Sequence, residues 1–237
     1  LINSQIIKKY TLLSQTEYSK KNPISKENHL KWKYLQNPVG FSYGINAYCK
    51  EQLIARISYQ KKNFIFKNQI IRGANLCDLL INKKNRSLDN FLKLTSQFFL
   101  NKDIPESNLS IMLPNEISIN LYKKILNQKP IGSMELRLIP LISSIINKKL
   151  KIKIPKFIDS FNYNFLSFLL KNLQNLSRIN FSMNDADNDE YEKMIKLYYE
   201  DNLIQGERSK QWIRWRYSSD SKINYFLEYI YLGDKLI

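Results

Sequence analysis

The sequence predicts an α/β fold, a layered sheet whose strands alternate with helices, and three features carry that expectation. From residue 6 to residue 139 the apolar residues switch repeatedly between a period of two and a helical period. Hydrophobic residues make up 43% of the 237 and charged residues 24%, enough for a sizeable core and against disorder. The order that results, helices and strands in alternation, belongs to an α/β layer rather than to a sandwich or a bundle.

Residues 6–14 and 25–35 have helical spacing, the second with Ser25 as N-cap and Glu27 in its first turn. Residues 43–49 and 53–60 read as a hairpin. Phe64-Ile65-Phe66 and Ile70-Ile71 flank a polar turn, and 74–81 is a further apolar run. A polar loop over 82–87 leads to a helix over 88–100, where Phe91, Leu94, Thr95 and Phe98 share a face. A short strand over 109–113, a helix over 115–126 and a strand over 133–139 complete the first series.

Lysine and arginine total 37 against 21 acidic residues, a net charge of +16. Twenty-nine of the cations are lysine and only eight arginine, with Asn, Ile and Tyr abundant. An AT-rich coding sequence writes that composition onto a surface whatever the protein does. Nucleic acid is therefore the less favoured partner, since it calls for arginine on one face or for basic residues interleaved with aromatics. The densest basic run, Lys148, Lys149, Lys151, Lys153 and Lys156, reads as a solvated connector. The longest apolar runs fall far short of the roughly 20 residues of a membrane span, so no transmembrane segment is expected. Cys49 and Cys77 lack metal-ligand spacing, which implies no metal and a reducing, cytoplasmic setting.

A block of sequence recurs. His29-Leu-Lys-Trp-Lys-Tyr34 and Trp212-Ile-Arg-Trp-Arg-Tyr217 place Trp32 and Tyr34 opposite Trp215 and Tyr217. Each copy ends a helix, is followed by a polar loop, an aromatic strand and a charged turn, and reaches a Leu-Ile pair at Leu53 or Leu236, 21 residues after its tryptophan. We expect two copies of one unit. The second has a candidate first strand at 178–183 and a helix at 187–201. The first has no such strand upstream and the chain begins with Leu1, so its N-terminus is expected to be incomplete. The far end stops within a hairpin, a strand over 225–231 and a turn at Gly233-Asp234. The expected organisation is 1–141 as a first domain, 142–176 as basic connector and helix, and 177–237 as a partial second copy.

Leu113-Pro-Asn115-Glu116 through Tyr122 resembles the Asn-x-x-Ala-x-x-Leu-Tyr segment of the GCN5-related N-acetyltransferase (GNAT) family, with the seven-residue step from Asn115 to Tyr122 intact. Lys31-Trp32-Lys33-Tyr34-x-x-Asn37-Pro38-x-Gly40 is similar to a Trp-Arg-Tyr-x-x-Asn-Pro-x-Gly start in bacterial GNAT-like proteins of polysaccharide and cell-envelope assembly. The resemblance covers residues 25–141. It implies a GNAT-like mixed central sheet with helices on both faces, followed by the start of a second GNAT-like half. It also implies acetyl-CoA as cofactor, its pantetheine arm in a gap between two splayed strands. Backbone amides of Leu79, Leu80 and Ile81 and the loop with Arg86, Ser87 and Leu88 would hold it, with Asn115 at the neighbouring helix. Arg86 matches the arginine of the family's pyrophosphate loop, but Asp89 and Phe91 stand where the family has two small residues.

By the same resemblance Tyr122 protonates the departing thiolate. An amine attacking a thioester must be unprotonated, so a base is needed, for which Asp78 and Glu116 are candidates. His29, the sole histidine, reads as structural, and Cys77 has no histidine nearby in sequence to make it a nucleophile. The expected activity is acetyl transfer to a small-molecule primary amine, such as an amino sugar. Two alternatives stand beside it: a degenerate interaction module without catalysis, which Asp89 favours, and a tRNA-dependent aminoacyltransferase, which the charge and the paired halves favour.

Overall fold

In the computed structural model the described residues are 1–101, 109–125, 127, 129–132, 179–182, 187–199, 202–217, 229–232 and 235–236. They fall into two compact units, Leu1–Leu113 with Asp187–Leu227, and Pro114–Ala186 with Glu228–Ile237.

The first unit is a mixed sheet with helices on both faces. Helix α1 (Ser4–Glu17) begins where the Asn3 side chain accepts the Ile6 N–H, and buries Ile7, Tyr10, Leu13 and Ser14 at three- and four-residue spacing. Helix α2 (Glu27–Leu35) follows. Strands β1 (Tyr43–Cys49), β2 (Gln52–Phe66) and β3 (Gln69–Ile81) run antiparallel, and β4 (Leu109–Met112) joins β3 in parallel. Between β3 and β4 lies α3 (Leu88–Leu100), capped by Ser87. Helices α1 and α2 pack through Tyr10, Leu13, Leu30 and Tyr34 on Leu53 and Leu80. Leu94 and Phe98 of α3 cover Ala55, Ile57, Tyr59 and Leu76 on the other face.

Three sequence expectations are corrected. Residues 61–63 do not break the strand: β2 runs through Lys61, Lys62 and Asn63 because the β2–β3 pairing is continuous there. The turn is a tight one in which Lys67 and Asn68 both have positive φ, as a two-residue hairpin requires. Likewise β3 passes through Arg72-Gly73, where a Cβ on Gly73 would lie 2.5 Å from the Leu109 carbonyl oxygen and from the Phe64 ring, so glycine admits β4 and the ring together. Ser25 does not cap α2. It ends a 3-10 turn (Pro23–Ser25), and its hydroxyl donates to the Ser14 carbonyl instead.

The helix expected over 187–201 appears as α5 (Asn188–Tyr198), capped by Asp187. It is followed by β6 (Gln205–Gly206), which pairs with Phe64 and Ile65 of β2, and by α6 (Lys210–Arg216). In the second unit α4 (Glu116–Ile125) is capped by Asn115, whose side chain accepts the Ser118 N–H at 2.8 Å. Strands β5 (Ile179–Ser182), β7 (Tyr229–Leu232) and β8 (Lys235–Leu236) form an antiparallel sheet in the order β5-β7-β8. The expected strand over 133–139 and the connector over 142–176 lie outside the described residues.

Candidate functional site

Strand β3 carries an irregularity where the chemistry was expected. Between the pairs Arg56↔Leu80 and Ser58↔Cys77, two residues of β3, Asp78 and Leu79, oppose the single Ile57. Asp78 takes the extra step with φ 54°, a conformation aspartate tolerates better than most residues. The bulge turns Cys77 and Leu80 towards α1 and α2, and Leu79 and Ile81 towards the α3 side.

The Asp78 carboxylate thereby reaches α2. Both its oxygens accept from Lys33 Nζ at 2.9 Å, and one also accepts from the Tyr34 hydroxyl. Burial pushes the Asp78 pKa up, but Lys33 and Arg56, with the Tyr34 hydrogen bond, pull it down to about 2. A carboxylate so engaged is a weak proton acceptor at neutral pH. Burial pushes the neighbouring Cys77 thiol up to about 11, so it is no nucleophile. Arg56 completes the cluster from β2. It is fully buried, its guanidinium 4.3 Å over the Tyr10 ring and one nitrogen donating to Ser14 Oγ at 3.1 Å.

Parallel pairing with β4 runs from Gly73↔Leu109 to Leu76↔Met112 and ends there, while β3 continues to Ile81. Among the described residues, no strand pairs with Leu79, Leu80 and Ile81 on that side, so alternate backbone groups of this stretch face an unpaired edge. The edge leads straight into the 82–87 loop. Asn82 donates its N–H to the Ile54 carbonyl, and its side chain caps the short 3-10 turn Lys83–Asn85. Here Glu17, from the end of α1, brings a carboxylate to the loop. One oxygen accepts the Lys83 backbone N–H at 2.8 Å and the other accepts from Arg86 Nη2 at 2.6 Å. Arg86 is fixed in turn by Nε donating to the Ile81 carbonyl at 3.1 Å.

The two residues that depart from the family pattern are accommodated. Phe91 is 3% exposed, its ring in the interior, and Asp89 pairs with Lys93 at 2.8 Å on the helix surface. Ser87 accepts the Asn90 N–H and Leu88 is exposed at the first turn of α3. In the second unit, Tyr122 is buried on α4, and burial raises its pKa so that it keeps its proton at neutral pH. Glu116 is exposed in the first turn. His29 packs its ring 5.2 Å from Trp32.

Among the described residues no group of three or more His, Cys, Asp or Glu is placed to hold a metal, and no helix is long and apolar enough to cross a membrane. Sequence reasoning missed Lys33, Tyr34, Arg56 and Glu17. Arg56 alone had a signal, a cation within the otherwise apolar Leu53–Ile57 stretch; Glu17 meets Arg86 across 69 residues, for which no local pattern exists.

No protein-family model matches the sequence, and no curated protein matches it. Among solved structures, a ribosomal-protein-alanine N-acetyltransferase from Brucella melitensis biovar Abortus 2308 is similar at 14% identity and TM-score 0.43, over 58% of this chain and 96% of its own. A mutant of the BH1408 protein from Bacillus halodurans is similar at 10% identity and TM-score 0.40, over 57% and 88%. With TM-scores below 0.5, the fold is judged on its own strands.

Proposed function

We propose that this chain is an acyl-CoA-dependent N-acyltransferase, transferring acetyl to a primary amine such as an amino sugar in glycan assembly, in the cytoplasm. One observation carries the reading: β3 runs on past the end of β4 at Met112, and its edge there, unpaired among the described residues, leads directly into a loop that already holds an anion. The Glu17 carboxylate on Lys83 N–H and Arg86 stands in for a phosphate oxygen there, so the donor set suits a pyrophosphate once Glu17 yields. Leu79, Leu80 and Ile81 would hold the pantetheine amides by strand addition, with Ser87 and Leu88 at the start of α3; Asn115, in the second unit, is assigned by the resemblance alone.

When bound, acetyl-CoA supplies an activated thioester. By the resemblance, Tyr122 of the second unit, protonated because it is buried, would be the proton donor to the departing thiolate. Of the two base candidates, Glu116 stands exposed in the first turn of α4 and is the one proposed. Asp78, already engaged by Lys33 and Tyr34, serves better to lock the bulge that shapes the edge. The tandem organisation, 1–141, 142–176 and 177–237, belongs to this proposal. Its support is reciprocal: Trp32 Nε1 donates to the Trp215 carbonyl and Trp215 Nε1 to the Trp32 carbonyl, so equivalent residues of the two copies make the same bond to each other, as across a two-fold axis.

A thermal-shift titration with acetyl-CoA tests the reading, because a ligand of the folded state raises its stability by mass action. A saturable rise is expected, larger in Glu17→Gln and smaller in Arg86→Gln. Tyr122→Phe should lower turnover by about 100-fold with little change in cofactor affinity. No shift in either the native chain or Glu17→Gln would favour the interaction module, in which Glu17 closes the loop permanently.

A further inference from the structure

Away from that loop, three cations gather where β6 and α6 meet β2. The outer half of β2 lies between β3 and β6, with Phe64↔Gly206 and Ile65↔Gln205 in register and Glu207 N–H donating to the Asn63 carbonyl. Lys62, on this strand, lays its ammonium 5.3 Å from the Phe64 ring centroid and about 3.1 Å from where a Gly206 Cβ would stand. Gly206 thus leaves room for the lysine against the added strand. Arg208, two residues on, lies 5.2 Å over the exposed Tyr198 ring, and Arg216, at the end of α6, lies 5.6 Å over the Trp32 ring.

The three charges are close enough that burial, with the fields of Arg208 and Arg216, depresses the Lys62 pKa. Among the described residues none of the three has a carboxylate within ion-pair distance, whereas Lys31, Lys33, Arg86 and Lys93 all do. Like charges held together on aromatic faces cost free energy unless an anion relieves them. The aromatic rings fix the cations in place, so little side-chain freedom remains to be lost on binding.

We propose that Lys62, Arg208 and Arg216 form a second anion site that binds a phosphate-bearing ligand, separate from the Arg86 loop. Two fork-shaped guanidiniums and one ammonium match the several oxygens of a phosphate or diphosphate better than a single carboxylate. The phosphate could come from a small phosphorylated molecule or from a nucleic-acid backbone, and the site itself asks only for the shared group.

Titration of the full chain with inorganic pyrophosphate, followed by calorimetry and by the emission of Trp32 and Trp215, tests this. Saturable binding that weakens steeply with salt is expected. Arg208→Gln, at an exposed position that leaves folding intact, and Lys62→Gln should each weaken it about 10-fold, with Lys62→Arg restoring it. Arg86→Gln, which removes any pyrophosphate held at the proposed cofactor loop, should leave this binding event in place, which separates the two sites. A short single-stranded RNA that competes with pyrophosphate at this site would identify the backbone as the source; no competition would identify a small ligand. Absence of pyrophosphate binding, or binding lost in Arg86→Gln and kept in Arg208→Gln, would overturn the site.

Discussion

Asp78 is where backbone geometry, charge and stability meet in one residue. Its left-handed backbone admits the bulge, and its carboxylate compensates two buried cations, Lys33 and Arg56. Its folded pKa of about 2 lies below the ordinary aspartate value of 3.8, so the unfolded chain binds the proton more readily. The stabilisation is therefore complete above about pH 5 and is lost as pH falls through the unfolded value towards the folded one. It is on the order of 2 kcal/mol. Replacing Asp78 with Asn removes the charge at every pH and leaves Lys33 uncompensated, a loss of about 3 kcal/mol. Urea unfolding at pH 7 and pH 3 should show the larger penalty at pH 7, shrinking at pH 3 because the carboxylate is then protonated in the unfolded chain while still charged in the folded one. An equal penalty at both pH values would mean that the residue acts through its backbone conformation alone.

At the scale of elements, the long β2–β3 hairpin is the frame on which both candidate sites stand. Gly73 holds its junction with β4, and Gly73→Ala would drive a Cβ into the Leu109 carbonyl and the Phe64 ring. Destabilisation of about 2 kcal/mol or more is expected by chemical denaturation, with faster amide exchange at Leu109–Met112 than at β1. Much of this frame was legible beforehand. The apolar face of Phe91, Leu94 and Phe98 placed α3 correctly, since a 3.6 period is a local signal. Lys61 to Asn63 misled because their backbone bonds are met by β3 along a continuous hairpin, which holds the strand through polar residues that alternation alone does not predict. The Arg86 position was legible from its motif, but not the Glu17 carboxylate that meets it, for α1 and the loop become neighbours only through packing.

Across the first unit, the tryptophan pair is one of the farthest-reaching connections among the described residues. Trp32 and Trp215 stack at 5.1 Å between ring centroids with planes 19° apart, and exchange indole hydrogen bonds across 183 residues of chain. Loop closure over such a length is entropically costly, so contacts that fasten α6 to α2 must be strong ones. A stacked pair contributes about 1 kcal/mol beyond the area it buries, and each reciprocal hydrogen bond a similar amount. Trp32→Ala and Trp215→Ala should therefore each cost about 3 kcal/mol, and the double variant clearly less than their sum, with a coupling of about 1–3 kcal/mol. If the two copies are related by duplication, the singles should also be alike in effect, because each indole has the same partner in the other. Circular dichroism supplies an independent readout. Two stacked indoles couple their transitions, so the signal should vanish in either single variant and lose nothing further in the double. Additive penalties, or a spectrum that survives one substitution, would show that α6 is held by its strand and its arginines and that the reciprocal bonds count for little.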